Sequence, residues 1–183
     1  YKNLKLVLKT KKVSFFQLRL KNYSLKKKII IGRKIKNICK KNKVKFIIND
    51  DPLLALKLNA DGCHLGQKDM NINIAKKILG KKIIGITCHN SINLAKKAIK
   101  AKADYIAFGA FNQSKTKKTK YAASVKILNK VKKFTKTPTV AIGGINAVNY
   151  KNLLLNNANF LAISGYIWKN KKYKPLQAIK KLK

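Results

Sequence analysis

The residues of this chain with the types and spacing to do chemistry are concentrated in one stretch. Of 183 residues only five are acidic, all Asp, and four of them (Asp50, Asp51, Asp61 and Asp69) lie in K-F-I-I-N-D-D-P-L-L-A-L-K-L-N-A-D-G-C-H-L-G-Q-K-D-M at 45–70. Two short apolar runs, 44–48 and 63–65, each end in a polar cluster, Asn49-Asp50-Asp51 and Gly66-Gln67-Lys68-Asp69. If both runs are parallel strands, their carboxyl ends meet on one face of the sheet, where α/β proteins place their chemistry. Two carboxylates converging in a chain of net charge +39 suit a hard cation such as Mg²⁺, held together with an anionic ligand. Asp51 reads differently, as the cap of a following helix with Pro52 at its first position. The metal assignment therefore rests on Asp50 and Asp69.

Three further clusters point to anions. In Q-L-R-L-K at 17–21, strand alternation puts Gln17, Arg19 and Lys21 on one side, a comb aimed at an anion. Phe15, Phe16, Leu18 and Leu20 around it predict a buried strand rather than an edge strand with a polar face. Gly143-Gly144 and Ser164-Gly165 end the last two apolar runs. Glycine there lets backbone N–H groups approach an anion closely, and barrels often bind phosphate in these two loops. Ser114-Lys115-Thr116-Lys117 offers hydroxyls and ammonium groups in a polar loop suited to closing over a phosphorylated ligand. Alone, that loop would read as one more solvated lysine run. Cys88-His89 is not a nucleophile pair, because neighbours on a strand point oppositely and no third group orients them. His64 reads as a core histidine, and two distant histidines make no zinc site.

Those clusters need elements to position them. Ser24 predicts the N-cap of a helix reaching about Asn42, with apolar residues at Leu25, Ile29, Ile30, Ile35 and Ile38. Strands are expected at 13–18, 44–48, 63–65, 82–87, 104–110, 139–142 and 160–163. Helices are expected at about 52–59, 71–79, 92–102, 124–134, 146–157 and 175–182, with the end of another at 3–12 and a short turn at 166–168. Gly80 marks the stop of the 71–79 helix. Strict alternation with near-continuous apolar strands marks a parallel sheet. Seven strands at this spacing predict a (β/α)8 TIM barrel that lacks its first strand, since the chain opens in what would be helix one. An open doubly wound sheet fits less well, because polar and glycine motifs follow almost every strand rather than one switch point.

Composition narrows the class. A chain of this length reads as one domain, 1–183, burying about two thirds of its unfolded surface. No apolar run approaches the ~20 residues that span a bilayer, and no secretory pattern opens the chain, so the cytoplasm is the expected compartment. Cys39, Cys63 and Cys88 have no metal-ligand spacing and read as free thiols. The charge invites a nucleic-acid reading. However, the lysines are spread from end to end, and the only arginines are Arg19 and Arg33. No recognition helix or aromatic RNA-binding signature accompanies them, so no specific nucleic-acid partner is expected.

The motifs QLRLK, FIINDDPLLALKLNADGCHLGQKDM, DYIAFGAF…SKTKK and VAIGGI, in this order, resemble the thiamine phosphate synthase family over nearly the whole chain. Members are (β/α)8 barrels that couple hydroxymethylpyrimidine diphosphate to thiazole phosphate ethyl alcohol, releasing pyrophosphate. The resemblance implies that Gln17, Arg19, Lys21 and Asn49 hold the pyrimidine diphosphate and that Asp50 and Asp69 carry Mg²⁺. It implies that Thr87, where the family usually has Ser, lies near the pyrimidine. Ser114, Lys115 and Thr116 would contact the thiazole phosphate, and Lys117 the diphosphate. Gly143, Gly144, Ser164 and Gly165 would cradle the thiazole phosphate. Arg19, Lys21 and Lys117 would neutralise the leaving group, a catalytic role. A thiazole tautomerase on the same barrel is the nearest rival and lacks the paired metal carboxylates. A nucleic-acid-binding protein driven by charge alone is the rival from another class.

Overall fold

The structure is a computed structural model and describes residues 1–112 and 121–182. Strands and helices alternate along it: α1 (Lys2–Leu8), β1 (Phe15–Leu18), α2 (Leu25–Lys41), β2 (Lys45–Asn49), α3 (Pro52–Lys57), β3 (Gly62–Leu65), α4 (Ile72–Leu79), β4 (Ile83–His89), α5 (Ile92–Lys100), β5 (Tyr105–Gly109), α6 (Lys126–Lys132), β6 (Thr139–Ile142), α7 (Tyr150–Leu155), β7 (Phe160–Ala162), α8 (Gly165–Trp168) and α9 (Pro175–Lys180). This is the α/β, TIM-barrel-type order expected, with seven strands among the described residues. The chain divides into two compact units, 1–84 and 85–183.

In the first unit β1, β2 and β3 pair in parallel, with Phe16 opposite Phe46 and Ile48 opposite Cys63. Burial on both faces drives this sheet. Phe46, Ile47 and Ile48 are each 1% exposed, and Cys63 and Leu65 are fully buried. Helix α2 begins where Ser24 stops the extended chain, its hydroxyl accepting from Lys27 N at 3.3 Å. Gly32 on its inner face lets the helix press on Leu58, whose Cδ1 would lie 2.4 Å from any Cβ there. Strand β1 is not the buried strand expected. Phe15 is 37% exposed and Gln17 is exposed, and of its four residues only Leu18 is buried. The physical reason is position: β1 comes first in the strand order, with β2 as its neighbour.

The amino ends of β2 and β3 are held by Asp61. Its Oδ2 accepts from Phe46 N at 2.8 Å, and its Oδ1 lies 3.3 Å from Lys45 Nζ. Ile83 N donates to the Asp61 carbonyl at 3.0 Å. Lys82 Nζ donates to Asn59 Oδ1 and to Ala60 O, at 2.6 and 2.7 Å.

In the second unit β4 to β7 pair in parallel in chain order, around a core that includes Ile106, Phe108, Leu128 and Val131. Strand β4 runs two residues further than expected, through a bulge between Thr87 and His89. Helix α7 starts four residues late. The Asn146 side chain accepts from Val148 N at 2.8 Å and Asn149 N at 3.3 Å, a local turn that competes with helix.

Candidate active site

At the carboxyl ends of β1 to β3 the first unit gathers most of the residues singled out by their chemistry. The strand stops at Leu18, yet Gln17, Arg19 and Lys21 are all exposed while Leu18 is buried and Leu20 half-buried. Gln17 Nε2 donates to Asn49 Oδ1 at 2.5 Å, tying the comb to the end of β2. Asn49 is opposite His64 in the register, and Asp50 N donates to His64 O at 2.8 Å. Thus the β2–β3 pairing runs on into the carboxylate cluster. Asp50 then adopts a left-handed backbone, φ 67°, a conformation a non-glycine residue holds at a cost. Such positions cluster at functional sites. Asp51 is the cap anticipated, accepting from Leu54 N at 2.9 Å, with Pro52 opening α3.

Asp69 closes a tight turn after β3. Its Oδ2 accepts from Gly66 N at 2.7 Å, and its own N donates to Gly66 O at 3.3 Å. That bond engages one carboxylate oxygen and fixes the plane of the group. The three carboxylates share an electrostatic neighbourhood. Burial pushes the Cys63 thiol up to about 12, and the negative charges of Asp51, Asp50 and Asp69 push the same way, against a backbone hydrogen bond from Asp51. His64 is a core histidine, 7% exposed; burial pushes its imidazole down to about 4 against the pull of Asp69. An open cleft of about 490 Å³ lies here, lined by Arg19, Lys21, Asn49, Asp50 and Asp51, with Lys28 and Met70. Lys28 was not anticipated; it stands on α2 rather than at a strand end, so no strand-end signal could have found it.

Among the described residues no three His, Cys, Asp or Glu side chains form a metal cage. Asp50 and Asp69 nonetheless present hard oxygens, the donors Mg²⁺ takes one or two at a time before completing its shell with water and phosphate oxygens. The donor set fits that ion. Arg19, Lys21 and Lys28 beside it fit the phosphate oxygens.

The second unit builds its strand ends differently, from backbone. Gly143 and Gly144 both have positive φ, 91° and 66°. At Gly143 a Cβ would also fall 2.3 Å from that of Ala110, so two independent constraints exclude a side chain. The turn is braced from below. Asn149 Nδ2 donates to Gly144 O at 3.0 Å, while Asn149 Oδ1 accepts from Asn146 N at 2.9 Å. Ser164 precedes the four-residue α8; its carbonyl accepts from Trp168 N at 2.9 Å, and its hydroxyl does not cap the helix. Ser164 is exposed and Gly165 half-buried. Thr87 is half-buried on β4, opposite Ala107. Ser114, Lys115, Thr116 and Lys117 lie outside the described residues. Cys88 is fully buried and burial pushes its thiol up to about 12, so it is no nucleophile. Cys39, Cys63 and Cys88 are free.

Known proteins share this sequence pattern and this fold. The model of the thiamine monophosphate synthase family matches residues 2–167. A thiamine-phosphate synthase of Pelagibacter ubique is 70% identical over 183 residues, covering 100% of this chain and 88% of that protein. One from Nitrosomonas eutropha is 39% identical over 153 residues, 83% of this chain and 72% of that protein. Among solved structures, a thiamine phosphate pyrophosphorylase from Pyrococcus furiosus superposes with a TM-score of 0.89 at 27% identity, over 99% of this chain and 86% of that one. A 3-hexulose-6-phosphate synthase, at 15% identity and a TM-score of 0.68 over 98% of this chain and 91% of that one, shares the fold.

Proposed function

Since the chain belongs to the thiamine monophosphate synthase family, we propose that it joins hydroxymethylpyrimidine diphosphate to thiazole phosphate ethyl alcohol. Pyrophosphate leaves, and thiamine monophosphate forms. The chain is thereby a transferase working on small phosphorylated substrates, acting as one barrel domain in the cytoplasm. Among the described residues no helix is long and apolar enough to cross a membrane.

The observation that carries the site assignment is the first unit's cleft, where Asp50 stands with Arg19, Lys21 and Asn49. Cations lining one cleft with Asp50, and Asp69 at the end of the neighbouring strand, suit a diphosphate that brings its own metal. Breaking the carbon–oxygen bond leaves a benzylic-type cation that the electron-rich pyrimidine stabilises, and the thiazole nitrogen attacks that carbon. The protein's task is to hold the ring and offset the charge growing on the departing pyrophosphate. Gln17 and Asn49, hydrogen-bonded to each other, would position the diphosphate. Arg19 and Lys21 would neutralise it, with Lys117 assigned the same role and Ser114, Lys115 and Thr116 the thiazole phosphate. Thr87 would line the pyrimidine. Gly143, Gly144, Ser164 and Gly165 would offer backbone N–H groups and a hydroxyl to the thiazole phosphate. Asp50 and Asp69 would hold Mg²⁺, which when bound supplies charge stabilisation to the leaving oxygens. No general base is required, because the attacking nitrogen carries a lone pair.

The test is to mix the protein with both substrates and Mg²⁺ and to assay thiamine monophosphate and pyrophosphate together. Both products are expected. Absence of both with a folded protein overturns the assignment. The paired carboxylates favour this reading over a thiazole tautomerase, which releases no pyrophosphate.

A further inference from the structure

We propose that His89 and Tyr121 form a stacked pair that positions the glycine turn after β6, which makes both of them positioning residues for the phosphate held there. The inference rests on the function just proposed, since it needs that turn to bind the thiazole phosphate.

The contacts run in an unbroken chain within the second unit. His89 ends β4 just past the bulge, with a left-handed backbone at φ 52°. That turn carries its ring onto Tyr121, the centroids 3.9 Å apart and the planes 20° from parallel. The Tyr121 carbonyl accepts from Ala110 N at 3.1 Å, and Ala123 N donates to Ala110 O at 2.8 Å. Ala110 is therefore gripped on both of its backbone polar groups by the segment Tyr121 begins. On its other side Ala110 meets the glycine turn, its Cβ occupying the space a Gly143 side chain would need. Phe111 N and Asn112 N then donate to Ile142 O and Gly143 O, each at 3.2 Å. Shifting Tyr121 thus shifts Ala110, and Ala110 is the surface on which Gly143 rests.

Core packing does not explain this pair. Tyr121 is 51% exposed, so the stack buries little of it, and a tyrosine held in the open on a histidine gains chiefly fixed geometry. Neither ring carries the chemistry: Cys88 beside His89 is buried and unreactive, and the reaction needs no base. The pair acts through the backbone it holds.

Steady-state kinetics for both substrates, with thermal melts alongside, test the assignment in His89→Asn, Tyr121→Ser, their double variant and Tyr121→Phe. Asn removes the ring yet suits a left-handed backbone, so folding is preserved. Either single loss should raise KM for thiazole phosphate about three- to tenfold, the range an aromatic pair supports. KM for pyrimidine diphosphate and kcat should stay put, and Tyr121→Phe should keep KM within about twofold of wild type, because the ring remains. The double variant should be no worse than the poorer single, the signature of one shared contact. An unchanged KM in the singles overturns the proposal. So do independent, multiplying effects in the double variant, or equal losses for both substrates tracking a lowered Tm. If wild type makes no thiamine monophosphate, the proposed function falls first. The pair is then read from titrating wild type and His89→Asn with inorganic phosphate: weaker binding in the variant supports it, and equal binding overturns it.

Discussion

The two ends of strands β2 and β3 hold the same residue type in different settings. At the amino ends, Asp61 places one oxygen on Phe46 N and the other near Lys45, so both serve the fold. At the carboxyl ends, Asp69 gives one oxygen to the Gly66 turn and Asp50 follows the last paired residues in a left-handed conformation. Residue type alone does not separate a structural from a chemical carboxylate. What separates Asp61 from Asp69 is that the fold engages both oxygens of the first and one of the second, and that they occupy opposite ends of the strands.

The sharpest way to break this contrast is Asp69→Asn. The amide can still accept from Gly66 N, so the melting temperature should hold while kcat/KM falls by about two to three orders of magnitude, the scale on which a preorganised charge acts at a leaving group. Coupling rates across Mg²⁺ concentrations, with melts, check it. A variant with normal rate and normal Mg²⁺ dependence would show that the two ends do not differ.

Between the ends lies His64, which gives the next largest effect. Burial holds its imidazole near 4 in the folded chain, whereas it titrates near 6.5 when unfolded. The folded value is the lower one, so the unfolded chain gains the proton first. The stability His64 contributes is complete above about 6.5 and drains away as pH falls toward 4, up to about 3 kcal/mol. Urea titrations at several pH values for wild type and His64→Gln should diverge over that window. Parallel curves would mean the ring is charged in the fold.

Asp61→Ala should cost about 1–3 kcal/mol of stability, with kcat/KM per folded molecule unchanged, as urea midpoints and assays will read. The ion pair contributes the lesser part, since its side chains are 58% and 37% exposed and such pairs are worth at most about 1 kcal/mol. The larger part is Phe46 N left without its acceptor. Activity lost ahead of stability would erase the distinction between the ends. Smallest of all in stability, Asp51→Ala removes the α3 cap and should cost about 1 kcal/mol by the same titration.

Much of this contrast was legible in the sequence. Ser24, Asp51-Pro52 and Gly80 are local signals, and each sits at the helix boundary it implied. The carboxylate and glycine clusters follow strands for the same reason: apolar runs that short end where polar residues begin. The exposure of β1 is not legible in this way, because Phe15 and Phe16 report an apolar strand but not how much of it is covered. The late start of α7 depends on Asn146 turning its side chain to its own backbone, a choice helical periodicity does not reveal. The stack of His89 on Tyr121 joins residues far apart in sequence, and no local pattern encodes it.

Gly143 has a consequence for how this fold changes over evolutionary time. Its backbone angle and the methyl group of Ala110 each forbid a side chain, so selection for folding alone would hold that glycine fixed. Its invariance among descendants would therefore say nothing about ligands. Asp69 is the informative position. Its turn needs only an acceptor for Gly66 N, which Asn or Ser could supply. A lineage that abandoned the chemistry would be free to drift there while keeping the barrel, and the loss of a carboxylate at 69 would record the event.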